Sequence, residues 1–271
     1  MEGDSTPGAP SVVARSLAYR AGRAEAGERR LPEETAIALV HDATTSAVMM
    51  ATPADLEDFG VGFSLTEGIV EQPEQLSGLE IVHSARGVEV RMWLAAERAT
   101  IRLARHRRLA GPTGCGLCGL ESLEESLRPT PRVGPGGSIS ADRILEAGVE
   151  ILGLQPLGAA TRAAHAAALW TPDEGLALVR EDVGRHNALD KLAGAMARAG
   201  RRAAASAIFL TSRVSVEMVQ KSAAIGAPII IAVSAPTALA VRTAQAAEIT
   251  LVGVARSDGF EVFTHPHRVR V

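Results

Sequence analysis

The chain is short of cysteine, has no basic excess and contains no long apolar run, and each shortage closes off a class of function. Two cysteines in 271 residues cannot build a disulfide framework. Their closeness, Cys115 and Cys118 within GPTGCGLCGLESL, points instead to metal or redox chemistry in a reducing compartment. With 28 Lys and Arg against 31 Asp and Glu, and a net charge of −3, the chain lacks the positive surplus that nucleic acid demands of a general partner. No run approaches the roughly 18 consecutive apolar residues of a membrane helix. The opening MEGDSTPGAP is acidic and polar, without the apolar segment of an export signal. The expectation is a cytoplasmic protein with no nucleic-acid and no membrane partner.

What is present is 46% hydrophobic and 22% charged, the profile of a soluble globular chain with one large core or two smaller ones, and two domains are expected. Residues 1–28 carry Gly, Pro, Ser, Ala and charge without apolar periodicity and read as a flexible arm. Residues 29–112 read as an α+β domain. Ile37, Leu39 and Val40 mark a strand. Thr52 and Pro53 open a helix with Leu56, Phe59 and Phe63 on one face and Gly68 at its end. Residues 79–85 and 88–94 form a hairpin. The basic run RHRR (105–108) leads into the cysteines and the Pro/Gly-rich RPTPRVGPGG, so residues 113–137 read as a mobile loop and linker.

From 138 to 271 the pattern alternates. SADRILEAGVEIL is a helix capped by Ser140, and ATRAAHAAALW a second, buried, alanine-rich helix. Then GLALVRED, AAIFLTS, PIIIAVSA and ITLVGVA read as strands, separated by NALDKLAGAMARAG, VSVEMVQKSAAIG and PTALAVRTAQAAE as helices. This predicts parallel strands with helices on both faces, an α/β/α sandwich of three layers.

Ligands of such sandwiches sit beyond the carboxyl ends of the strands. Three loops there are rich in functional groups. EDVGRHNALDK crowds Glu181, Asp182, Arg185, His186 and Asn187 into one turn, more than a capped connector needs. TSRVSVEMVQK places Thr211, Ser212 and Arg213 at a helix start, where backbone N–H groups and a guanidinium suit an anion. VARSDGFEVFTHPHR offers Arg256 and Gly259, then Thr264, His265 and Pro266. Together the three could line a pocket for a phosphate-bearing ligand. The cysteine loop is the sharper signal, because a working thiolate needs nearby positive charge or a helix N-terminus. RHRR precedes it, a short helical segment follows it, and Gly111, Gly114, Gly116 and Gly119 let it swing. A zinc site would need two further ligands; a redox pair and a Cys115–Cys118 disulfide also remain open.

The combination of GPTGCGLCG, EDVGRHNALDK, SRVSVEMVQK and the closing THP resembles the FdhD family, sulfur carriers required for formate dehydrogenase activity, from about residue 30 onward. The resemblance implies a sulfurtransferase in which Cys115 accepts sulfur from a cysteine desulfurase as a persulfide, with Cys118 assisting. The acceptor would be a molybdenum or tungsten bis-guanine-dinucleotide pterin cofactor, with no metal held by the protein itself, before its insertion into formate dehydrogenase. Val254, Ala255, Arg256, Ser257, Asp258 and Gly259 match the family's cofactor-contacting position. Asp182, Arg185, His186 and Asn187, by their chemistry, would help line the guanine pocket. The family also implies a fold similar to cytidine deaminases and a homodimer. Deamination itself is not expected: it needs H-x-E followed by P-C-x-x-C, whereas His165 is followed by Ala166 and Ala167 and the CxxC lies upstream. His165 reads as a core histidine of the alanine-rich helix. The alternatives are a chaperone that only binds the cofactor and a CxxC redox protein.

Overall fold

The computed structural model describes residues 8–98 and 130–271. Cys115, Cys118, RHRR and ESLEESLR lie outside the described residues.

The N-terminal part begins with a hairpin, β1 (Ser11–Arg20) and β2 (Arg23–Pro32). It continues with β3 (Thr35–His41), β4 (Thr44–Ala51), α1 (Leu56–Thr66), β5 (Leu76–Ser84) and β6 (Gly87–Leu94). The last four strands form a sheet ordered β4-β3-β6-β5. Alternation along β3 and β6 turns Ile37, Leu39, Val90 and Met92 to one face, where Phe59 and Phe63 of α1 cover them.

The C-terminal part contains β7 (Ile139–Ser140), α2 (Ala141–Gly153), α3 (Pro156–Thr161), β8 (His165–Thr171), β9 (Gly175–Asp182), α4 (Arg185–Arg198), β10 (Ala207–Leu210) and α5 (Val216–Ala224). It ends with β11 (Ile229–Ala232), α6 (Ala238–Ala246), β12 (Thr250–Arg256), β13 (Gly259–Thr264) and β14 (Val269–Arg270). Six strands make one sheet in the order β13-β12-β11-β10-β8-β9. Neighbouring residues of one strand serve opposite cores. Ala167 and Ile208 join Leu189, Leu192, Met218 and Ala240 of α4, α5 and α6 on one face. Ala168 and Phe209 join Ile144 and Ile151 of α2 on the other. The body is therefore the expected three layers, and the cap is as read: the Ser140 side chain accepts from the Arg143 N–H.

Four expectations change. The stretch read as a flexible arm is largely the β1–β2 hairpin, closed by Ala21 and Gly22, both at positive φ (48° and 80°); that is the geometry of a two-residue primed turn, and Arg15 faces Glu28 across it. The helix assigned to Thr52 and Pro53 starts at Leu56, with Asp55 as N-cap, because Thr52 is committed to contacts with the C-terminal part described below. ATRAAHAAALW is not a helix. Its first residues end α3, and His165–Thr171 is a strand inside the sheet, where burial on both faces overrides alanine's helix propensity. Finally, the sheet is mixed. β10, β11 and β12 are parallel, whereas β8 runs antiparallel to both β10 and β9, and β13 antiparallel to β12.

The two parts meet where α1 crosses α4. A Cβ added at Gly62 would stand 1.7 Å from the Asp190 carbonyl oxygen, and one at Gly194 would stand 1.9 Å from that of Asp58. Only glycine allows the backbones so close. Beside the crossing, the Asp58 carboxylate takes Arg180 Nη2 and Arg198 Nη1, each at 2.7 Å. Because backbone rather than a flexible side chain blocks the added methyl, Gly194→Ala should destabilise by about 3 kcal/mol or more. Urea unfolding checks this, and a variant of unchanged midpoint would show that the helices can separate without loss.

Candidate functional site

Because β9 and β10 both run opposite to β8, β9, β10, β11 and β12 all point the same way. Their carboxyl ends share one edge. On it α4, α5 and α6 begin, with Gly184, Ser215 and Thr237 as their N-caps. The sheet order places the 257–258 turn, the 233–237 loop, the 211–215 loop, the start of β8 and the 183–184 turn side by side. At about 4.8 Å per strand, the span from β12 to β9 is about 19 Å, the reach of an extended ligand.

Asp182 and Asn187 are on this edge but turned inward. Both are buried. Asp182 Oδ1 accepts from the Gly184 N–H at 2.7 Å and from Asn187 Nδ2 at 3.0 Å. Its Oδ2 accepts from the Thr52 N–H at 3.0 Å and lies 2.6 Å from Lys191 Nζ. Lys191 also donates to Thr52 O at 2.9 Å, Val183 N–H to Thr52 Oγ1 at 3.2 Å, and Asn187 Nδ2 to Met50 O at 2.9 Å. These side chains fasten the N-terminal part to the sheet. Glu181 accepts the Leu157 and Gly158 N–H groups at the start of α3, at 2.9 and 2.7 Å. Of EDVGRHN, Arg185 and His186 are partly buried rather than committed to this network.

Arg185 Nε and His186 Nε2 are buried atoms with no hydrogen-bond partner among the described residues. Unpaired polar atoms of this kind are costly unless something else satisfies them. Burial holds the His186 pKa down to about 4, reinforced by the positive charges of Arg185 and Lys221 and opposed by Glu217 and Glu67. The ring is therefore neutral at ordinary pH. Lys221 itself lies within 3.0 Å of both Asp190 oxygens and 2.6 Å from Glu67 Oε1. Burial alone would lower its pKa, but these carboxylates outweigh it and the pKa is raised.

In the second loop Ser212 is buried and donates to the Arg213 carbonyl at 3.0 Å, while Arg213 is exposed. In the third, Val254 has φ 53° and the β12–β13 register shifts between Gly253 and Arg256. A β-branched residue in that region stores about 1–3 kcal/mol of strain, a feature typical of ligand clamps. Ala255 is buried, whereas Arg256, Ser257 and Asp258 are exposed and Gly259 closes the turn. The structure thus brings Arg185, His186, Ser212, Arg213 and Val254–Gly259 to one edge. It does not bring Thr264, His265 and Pro266 there: β13 runs back, and they lie at the opposite edge.

Two further features share this edge, His165, which the sequence pattern placed as a core histidine of a helix, and a loop that it passed over. His165 heads β8 opposite Asp182, and its pKa is lowered by burial and by Arg185 despite Asp182; the alanines around it disguised the strand. The 233–237 loop lies between the other two, bridged by Val214 and Pro236 and by the Val254 N–H to Ser234 O at 3.3 Å. The rule that exposed the other loops, position after a strand, applies equally to it.

Fold and site define a three-layer α/β protein whose carboxyl edge carries Arg185, His186 and Arg213. The profile of the FdhD/NarQ family matches residues 32–270. A sulfur carrier protein FdhD from Agrobacterium fabrum is 48% identical over 95% of this chain and 95% of its own. One from Cupriavidus necator is 48% identical over 99% of this chain and 93% of its own. A crystal structure of a candidate formate dehydrogenase accessory protein from Desulfotalea psychrophila, 26% identical, superposes with a TM-score of 0.74 over 96% of this chain and 100% of that one. The chain belongs to the FdhD/NarQ family.

The partly buried His186 gives a pH signature. Unfolded, its ring takes up a proton near 6.5; folded, only near 4. The stability that His186 contributes is therefore full above pH 6.5 and declines as pH falls through that window. The decline is about 1–2 kcal/mol, less than full linkage because part of the ring meets solvent. Denaturation at stepped pH should show a slope that His186→Gln flattens; an unchanged slope would place the ring in water.

Proposed function

We propose that the chain is a sulfur carrier serving a formate dehydrogenase, with Cys115 carrying the sulfur and the carboxyl edge of the sheet holding the acceptor, a guanine-dinucleotide pterin cofactor of molybdenum or tungsten. The sulfur role is supported by near full-length relatives named as sulfur carriers. The observation that carries the acceptor site is the convergence of unpaired Arg185 and His186, exposed Arg213 and the strained Val254 bulge on one edge. Guanidinium groups and helix starts suit pyrophosphate, and a neutral imidazole suits a base or hydroxyl.

In the chemistry we infer, the Cys115 thiolate attacks the outer sulfur of a desulfurase persulfide, and the donor's thiolate leaves. The carried sulfur departs as hydrosulfide when the Cys118 thiolate attacks Cys115 Sγ. The two cysteines then form a disulfide, supplying the two electrons, and a thiol reductant resets them. The protein acts in the cytoplasm, as a homodimer, in contact with a cysteine desulfurase and the dehydrogenase. Among the described residues, no helix is long and apolar enough to cross a membrane.

Mass spectrometry of the protein after incubation with a cysteine desulfurase and cysteine tests the role. One added sulfur is expected on the peptide containing Cys115, removable by reductant and absent in Cys115→Ala. No added sulfur would turn the reading toward a chaperone that only binds the cofactor.

A further inference from the structure

β1 and β2 form an arm of ten residues a strand, and every residue of β2 but Pro32 is exposed. Among the described residues, the arm's one hydrogen bond to the rest of the chain is Arg29 Nη2 to Thr161 O, at 3.3 Å. The register puts Val13, Arg15, Leu17 and Tyr19 on one face, opposite Arg30, Glu28, Ala26 and Ala24. Leu17 and Tyr19 are 72% and 75% exposed. A two-stranded hairpin is at best marginally stable in water without a further layer against it, so a partner that covers this face also stabilises the arm.

A second open apolar face lies on α2. Ile144, Ala147 and Ile151 pack on the sheet, whereas Leu145, Val149 and Leu152 recur at helical spacing on the flank away from it. Val149 and Leu152 are 57% and 67% exposed. Asp142, Glu146 and Glu150 against Arg143 make the helix acidic. The arm is basic, with five arginines against two glutamates. The two faces are therefore apolar at the centre and opposite in charge. In one chain they also adjoin: a cavity of ≈ 530 Å³, lined by Pro10, Arg30, Leu154 and Leu157 among others, joins the base of the arm to the end of α2.

We propose that the arm of one chain lies across α2 of a second copy, whose own arm lies across α2 of the first. Because giving and receiving surfaces adjoin, the exchange closes on itself with two copies, as a twofold contact requires. At about 3.4 Å per residue the arm reaches about 34 Å, enough to span the about 20 Å of α2. Each copy contributes an arm of twenty residues and a receiving helix, which matches the roughly 20–30 residues a side of a stable interface. An anionic membrane would attract the arm but repel α2 and leave its apolar flank open. The inference rests on the homodimer of the proposed function and not on its sulfur chemistry.

Sedimentation of the full chain at micromolar concentration tests it. The native chain is expected to run as a dimer. Leu17→Glu with Tyr19→Glu, and separately Val149→Glu with Leu152→Glu, all at exposed positions, should each weaken the dimer at least about thirtyfold. Mixing the two variants should restore dimer in part, because the intact arm of one meets the intact α2 of the other. Native dimerisation in either variant alone, or no recovery in the mixture, would overturn the arm contact and leave the homodimer standing. A monomeric native chain would overturn both. If that monomer bound phosphatidylglycerol vesicles and the arm variant did not, the face would belong to a lipid surface instead.

Discussion

Asp182 and Lys191 are both out of reach of water and lie 2.6 Å apart. A pair so placed must satisfy every remaining lone pair and proton internally, because an uncompensated buried charge costs about 3–5 kcal/mol. The donors and acceptors that do so come from across the molecule: the Thr52 backbone and the Asn187 amide, with Met50 O one bond further. The network therefore requires the β4–α1 corner to sit against α4. The glycine crossing at Gly62 and Gly194 is what lets it. One constraint thus fixes the relation of the two parts and the start of α4 together.

The start of α4 also forms one end of the proposed acceptor site. Asp182 and Asn187 hold the turn from below, and Arg185 Nε and His186 Nε2 above it have no hydrogen-bond partner among the described residues. The strain at Val254 is maintained in the same way: Gly253 is pressed between Phe263 and Pro236, and the Val254 N–H is held by Ser234. Rigid strands and helices, rather than loops alone, position these groups, as a site of defined geometry requires.

Much of this was legible in the sequence. The α/β alternation after residue 138, the Ser140 cap and the carboxyl-edge loops follow from local period and chemistry. What was hidden was set by distant partners. Thr52 looks like a helix cap until Asp182 and Lys191 claim it. His165 looks helical until two neighbouring strands and two packed faces enclose its segment. The inward turn of Asp182 and Asn187 could not be told from a functional display, because the same residue types serve buried networks and binding sites. The separation of His265 from Arg256 depended on one strand's direction, which a sequence pattern does not record.

In the proposed function, the carboxyl edge presents the acceptor for the sulfur carried by Cys115. Radiolabelled sulfur loaded onto the protein and chased with the guanine-dinucleotide pterin cofactor tests it in a single turnover. Label is expected to pass to the cofactor in the native chain and to stay on the protein in the Arg185→Ala/Arg213→Ala variant. Transfer at the native rate in that variant, or release of label regardless of cofactor, would contradict it.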